Sequence, residues 1–309
     1  MPKPKHPKRR LHRKAPKEQR LVGGQAVIEG VMIKGREHIG IAVRQPDRKI
    51  VTDIIDAPSR TRRSKIWGLP LIRGPIILYE MLVLGMRGLI WSANQQADEA
   101  EQEQISSSTM TITIIISLLF AFLLFKFIPL GATKLLFSLP FFKANQLLFN
   151  LVDGIIRILI FVGYILLISL TPDVKRLFQY HGAEHMTVYA YEDNLPLTLK
   201  NVRKYPPQHP RCGTSFIFIT LIIAILIFSV VPIDLPFLLL LALRIPLLLP
   251  IAGIAYELLK LSFRYRHNML FKALILPGIW MQNLTTARPD DDQIEVAIRA
   301  MKTLLTVEK

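Results

Sequence analysis

Residues 179–192 read QYHGAEHMTVYAYE and stand between two hydrophobic runs of membrane length. A second short stretch, HPRCGTS, follows at 209–215. A lipid-facing segment has no use for two imidazoles and a carboxylate, so this stretch reads as a helix in water, and the rest of the chain is organised around it. Thr171-Pro172-Asp173 supplies an N-cap, a proline at the first helical position and an acidic first turn, while Asn194 and Pro196 stop the helix after Glu192. On such a helix His181 and His185 lie one turn apart with Glu184 between them, on neighbouring parts of one face.

Two imidazoles a turn apart and a nearby carboxylate are what a divalent metal and its water require of one helix. The order HxxEH matches that of inverted zinc peptidases, although so short a pattern is common by chance. In QHPRCGTS the proline favours a turn that brings His209 and Cys212 toward one point. The expected site is a metal, with zinc favoured by the donor types, held by His181, His185, His209 and Cys212, with Glu184 as catalytic base. Four protein ligands would make a closed structural site, whereas three would leave a position for a catalytic water; the residues admit both. They also admit no metal at all, with His209 capping the next span, Cys212 a small buried apolar residue, and His181 and His185 facing headgroups. A third chemistry pairs a Cys212 thiolate at a helix N-terminus with His209 as its base, and a cysteine beside a span is also an acylation candidate.

Outward from this stretch, composition sets the class. The 309 residues are 51% hydrophobic yet include 39 Lys and Arg, more apolar surface than an ordinary soluble domain hides. Nine Lys or Arg against one Glu fall in the first twenty residues, half of the net charge of +16. With its prolines, residues 1–21 read as a disordered basic arm whose partners are anionic lipid headgroups and whose charge marks the cytoplasmic side. Nucleic acid is not the expected partner, because the arm has no interleaved aromatics and no binding motif follows. It is not a secretory signal either, since no apolar core or cleavage site follows it. Protein partners are not legible. Cys212 is the only cysteine, so no intrachain disulfide forms.

Residues 22–60 alternate apolar and polar positions and break at KG and QPD, which predicts a small antiparallel meander of two or three strands packed on another part of the protein. Residues 61–109 contain a helix and an acidic linker. In Trp67–Trp91 the charges Arg73, Glu80 and Arg87 recur every seven residues on one face, which favours a helix lying on the membrane over one crossing it. Residues 110–265 form the transmembrane domain, with spans near 110–130, 147–170, 214–232 and 235–261 and the site loop at 171–213. Asp153 and Arg157 can pair within the second span, and Arg244, Pro246 and Pro250 break the fourth. Glu257 is expected near the cytoplasmic end of that span, on the side of the histidine loop, and Glu29 in a solvated turn. The loop 171–213 carries six Lys or Arg against Lys134 and Lys143 between the first two spans, so it and both termini are placed in the cytoplasm. Residues 266–309 return to water as C-terminal helices, the last with Ile294, Ala297, Ile298, Met301, Leu304 and Leu305 on one face.

The strings GGQAVIEGVMIKG, YHGAEHMTVYAYE, NVRKYPPQHPRCGTSF, IAYE and LPGIWMQNLTTARPDDDQIEVAI resemble, in order, the YqhQ-like family of bacterial membrane proteins, from about Val22 to Ile298. The resemblance implies a multi-pass membrane protein whose domain has no assigned function and has been labelled a predicted metal-dependent enzyme. Its motifs fall on His181, Glu184, His185, His209 and Cys212. The expected molecule is a mainly α-helical integral protein of the cytoplasmic membrane, with about four transmembrane helices, one interfacial helix and a small N-terminal β element. Its expected activity is metal-dependent hydrolysis of a membrane-associated substrate. The alternatives are a non-enzymatic scaffold stapled by a structural metal or histidine cluster, and, last, a transporter using Arg244 in the broken span.

Overall fold

A computed structural model describes residues 22–96, 107–139, 145–265 and 268–308. The basic arm at 1–21 and most of the acidic linker lie outside the described residues. The rest is mostly helical, with one four-stranded antiparallel sheet in the order β1 (Gly23–Val27), β2 (Gly30–Lys34), β3 (His38–Arg44), β4 (Ile50–Asp56). The meander therefore has four strands, more than its alternation predicts. The extra strand is the glycine-rich start of β1, joined to β2 through a two-residue turn with Glu29 in the left-handed region at φ 50°.

Among the described residues twelve helices follow: α1 (Arg60–Arg63), α2 (Arg73–Asn94), α3 (Ser107–Phe122), α4 (Ile128–Phe137), α5 (Gln146–Ile168), α6 (Pro172–Glu192), α7 (Leu199–Val202), α8 (Gly213–Phe228), α9 (Phe237–Arg244), α10 (Leu248–Arg264), α11 (Met269–Thr285) and α12 (Asp291–Val307). A π turn at Leu123–Phe127 joins α3 to α4. One face of the sheet, through Val31, Ile33 and Ala42, packs on α12 and α6. The opposite face, through Met32, Ile39 and Ile41, packs on Leu84 of α2. The expected apolar stripe of α12 is buried at Ile294, Ala297, Ile298, Met301 and Leu304, with Leu305 at its edge. Each such large side chain contributes about 1.5–3 kcal/mol on burial, so the sheet exists because α12 covers it.

The contact is locked at the C-terminal end. The Glu308 carboxylate accepts hydrogen bonds from the backbone N–H groups of Arg36, Glu37 and His38 at 2.8, 2.8 and 3.0 Å, closing the β2–β3 turn. Burial pushes this carboxyl up, but the three N–H donors and nearby His38 outweigh it and hold the group below its ordinary value of 4.5. A folded-state pKa below the unfolded one stabilises at higher pH, so the clamp is fully present above about 4.5 and is lost as pH falls through the depressed value. Glu308→Ala should cost about 2 kcal/mol at pH 7 and less at a pH below the depressed value, read from chemical denaturation of the two proteins. An equal cost at both pH values would show that packing, not the carboxylate, matters.

Among the described residues, three helical stretches are long and apolar enough to cross a membrane: Arg73–Asn94, Ile115–Phe137 and Gln146–Ile168. The α9–α10 pair, bent by 43° at its break, makes a fourth if counted as one span. The break predicted at Arg244 and Pro246 is thus present. The first apolar span runs on to Phe137, past its predicted end at Leu130, and so takes in Lys134, expected in a loop. Its continuation through Pro129 follows the π turn, which provides for the hydrogen bond that proline cannot donate. Helix α8 is apolar but only 16 residues long. Helix α11, expected with α12 among the C-terminal helices, lies along α8, where Gly278 meets Ser215 so closely that no Cβ would fit. Of these two, α12 is the one that packs with the sheet and α6.

The charges of α2 are partly consumed by pairing. Arg73 forms a two-point contact with Glu257 of α10, which makes Glu257 a tie between helices. Glu80 accepts from the backbone N–H of Arg60 at 2.6 Å. Glu29 is more than a solvated turn, because its carboxylate grips Arg176 and accepts from the Tyr180 hydroxyl, pinning the first hairpin to α6.

Candidate metal centre

Helix α6 spans the predicted 172–192, with Pro172 in its first turn and Asn194 at φ 54° just past its end. Thr171 does not cap it through the side chain; its hydroxyl donates to Ile168 O at 2.7 Å, finishing α5 instead. The predicted turn at His209-Pro210-Arg211-Cys212 is closed by the bond from Cys212 N–H to His209 O at 3.1 Å. Cys212 is then the N-cap of α8, with its sulfur accepting from Thr214 N–H.

These elements bring His181, His185 and Cys212 together, with one ligand atom of each lying within 4.8 Å of the others. The Cys212 Sγ is 3.4 Å from His181 Nε2. The outer nitrogens are already spoken for. His181 Nδ1 faces Thr285 O at 2.8 Å, and His185 Nδ1 faces Pro207 O at 2.5 Å. A carbonyl can only accept, so each Nδ1 carries the proton and each Nε2 keeps its lone pair toward the shared point. This carbonyl-oriented pair is the outer arrangement that metal-binding histidines use. Burial also pushes His185 down, keeping it the neutral donor that a metal needs.

Glu184 sits beside this trio, its Oε2 3.5 Å from His185 Nε2. It is buried, and burial pushes its carboxyl above the usual carboxylate range, with His181, His209 and Arg211 pulling partly the other way. A carboxylate made more basic in this way is a better proton acceptor near neutral pH. Strand β1 forms the wall behind it: a Cβ on Gly24 would come within 2.5 Å of Glu184 Oε1. Only glycine lets the strand approach this closely.

His209, expected as a fourth ligand, stands outside the trio. Its Nδ1 accepts from Arg211 N–H at 3.2 Å, its ring meets Tyr189 edge-on at 4.2 Å, and its Nε2 lies 3.7 Å from Glu192. Burial drives it down to about 4, so it stands neutral at physiological pH. The physical reason lies in α11, where buried Gln282 binds the His209 backbone from both sides, accepting from its N–H at 2.7 Å and donating to its C=O at 2.9 Å. For the thiol chemistry the consequence is equally direct, because the imidazole at Cys212 is His181 and not His209.

The family model described as "Protein of unknown function (DUF1385)" matches residues 69–307, a stretch that contains every residue of this centre. The chain belongs to the DUF1385 family. A DUF1385 relative, "Uncharacterized protein YqhQ" of Bacillus subtilis (strain 168), is 34% identical over 298 residues, covering 93% of this chain and 92% of its own. No solved structure matches.

Sequence reasoning missed the supports of the DUF1385 centre: Thr285, Pro207 and Gln282 act through backbone or through an uncharged amide, so no motif of ligand types reveals them. The only signal was their place in quoted family strings, QNLTTARP and YPPQHPRC.

Proposed function

We propose that this chain is a multi-pass membrane protein carrying a metal-dependent hydrolytic centre at one membrane face, acting on a membrane-associated substrate. The membrane part rests on the rows of exposed Ile, Leu and Phe on α3 and α5, such as Ile116, Leu119, Phe120, Leu159 and Leu167, which water would penalise and lipid would not. The observation that carries the chemistry is the pair of carbonyl-oriented imidazoles, each with its Nε2 left for the shared point, beside the Cys212 sulfur. His181, His185 and Cys212 would hold the metal, with zinc the ion their softness favours, and a bound zinc would lower the pKa of a water in the remaining position. Glu184, poised next to His185 and made basic by burial, takes the proton from that water and returns it to the leaving group. The wall made by Gly24 and the burial of Glu184 keep bulk water away from the carboxylate.

The test is Glu184→Gln in protein reconstituted in lipid and offered fluorogenic peptides and carboxylic or phosphate esters. Zinc content should stay unchanged while any metal-dependent hydrolysis drops by about 10²–10⁴-fold. Hydrolysis that continues at the wild-type rate removes Glu184 from the mechanism. If no substrate turns over in the wild type, the second reading applies, a scaffold whose metal staples α6 to α8 and α11; it is favoured by the same carbonyl contacts, which tie three elements together.

A further inference from the structure

A second cluster of ionisable side chains lies away from the histidines, inside the apolar bundle. Lys126 stands at the midpoint of Ile115–Phe137, and Arg157 at the midpoint of Gln146–Ile168. Arg244 enters from the break between α9 and α10. The three are gathered around one ring: Lys126 Nζ and the Arg157 and Arg244 guanidinium carbons lie 5.8, 5.9 and 4.7 Å from the centroid of Phe228.

Among the described residues only one carboxylate answers them. Asp153 Oδ2 receives Arg157 at 2.7 Å and Arg244 at 3.2 Å, and Arg244 also donates to Asn150 Oδ1 at 2.6 Å. Lys126 makes no ion pair among the described residues. The cluster thus carries an excess of two positive charges at the depth where charge is most expensive. The Nε–H groups of Arg157 and Arg244, side chains 6% and 4% exposed, find no acceptor. Asp153 Oδ1 is unpartnered as well, so two unpaired guanidinium donors stand against one unpaired carboxylate oxygen, and the donors are in excess.

Between them is a cavity of about 10 Å³, lined by Lys126, Arg157, Arg244, Phe228, Phe122 and Ile245 among others. That is room for one particle about the size of a water. A phosphate or carboxylate headgroup is too large for it, whereas a halide needs only a small swing of the flexible Lys126 stem, which is half-buried at the rim. The π turn that carries Lys126 is the kind of helix irregularity found where a side chain must be re-aimed.

We propose that Lys126, Arg157 and Arg244 form a binding site for one halide-sized anion in the middle of the helical bundle. The anion neutralises part of the charge excess and accepts the unpaired N–H groups, so it tightens the junction of α4, α5, α8 and the α9–α10 break. The site is separate from the histidine centre and stands whether or not that centre binds metal.

The test is equilibrium dialysis of radiolabelled chloride against the full chain in detergent, beside thermal unfolding in chloride and in gluconate at one ionic strength and pH. Wild-type protein should take up about one chloride per chain, and its melting temperature should rise with chloride in a saturable way but not with gluconate. Lys126→Met should weaken chloride binding at least tenfold and flatten the thermal response, while Lys126→Arg, which keeps the charge, should retain both. The absence of saturable chloride binding in the wild type would overturn the proposal without reference to any variant. Equal binding in wild type and Lys126→Met would overturn it too, as would a phospholipid retained by the wild type and released by Lys126→Met, which would assign the charges to a headgroup.

Discussion

Zinc content, measured by elemental mass spectrometry on the full chain purified without chelator, should be about one ion per chain in the wild type and near background in His185→Ala and Cys212→Ser. His209→Ala should keep its zinc. The contrast follows from which donors share a point: His181, His185 and Cys212 do, whereas the His209 ring is held on Tyr189 with its Nδ1 taken by Arg211 N–H. Removing one of three ligands leaves a two-donor site, which loses most of its affinity, and Cys212→Ser replaces the softest donor with a poor one. Removing His209 takes away packing against Tyr189 and a neutral imidazole near Glu192, so its effect should fall on stability. If His209→Ala loses its metal as completely as His185→Ala does, the loop rearranges to give a four-ligand closed site, and the catalytic reading of the open position falls. A wild type that neither contains zinc nor takes it up leaves the trio as a hydrogen-bonded staple.

The second large effect is expected at Gly182, one residue after the first ligand. A Cβ there would lie 2.2 Å from the backbone O of Ala287 and 3.1 Å from a Pro207 side-chain carbon. Neither neighbour is the flexible end of a side chain, so α6 must move away from the segment that follows α11. The end of α11 supplies Thr285 O, which orients His181, and the segment after it supplies Ala287 N–H, which bonds Phe178 O at 2.9 Å. Gly182→Ala should therefore destabilise by about 3 kcal/mol and weaken zinc binding at the same time, which a thermal melt and a competition titration would read separately. Gly163→Ala is the control, because nothing lies within 4 Å of its Cβ position and alanine favours the helix. A Gly182→Ala protein as stable as the Gly163→Ala protein would show that α6 does not press on that segment.

The helix of the site was legible because its start and stop signals and its ligand spacing are all local: Pro172, Asn194, and the four-residue interval of His181 and His185. The α12 stripe was legible for the same reason. Non-local pairing was not. Arg244 finds Asp153 and Asn150 across 91 and 94 residues, and Glu308 reaches the β2–β3 turn across about 270; neither interval leaves a periodic trace. The role of Gln282 in withholding His209 could not be read, since an amide inside an apolar helix looks the same whether it grips a backbone or faces a neighbour. The fourth strand was missed because β1 begins with two glycines, which weaken the alternation that marks a strand, and one of them is there for Glu184 rather than for the sheet.

The layer formed by the sheet, α6 and α12 has a counting consequence. Its three parts come from residues 23–56, 172–192 and 291–307, which are in direct contact and so lie on one side of any bilayer the bundle crosses. A chain that leaves a side and returns to it crosses an even number of times. Between β4 and α6 stand three candidate spans, α2, the α3–α4 stretch and α5, so two of them cross such a bilayer or none does. Of the three, α2 is the one that packs on the sheet itself, its Gly85 and Gly88 resting on Gln25 and Met32. The same parity holds between α6 and α12: of α8, the bent α9–α10 pair and α11, two cross and the third enters and turns back, or none crosses at all.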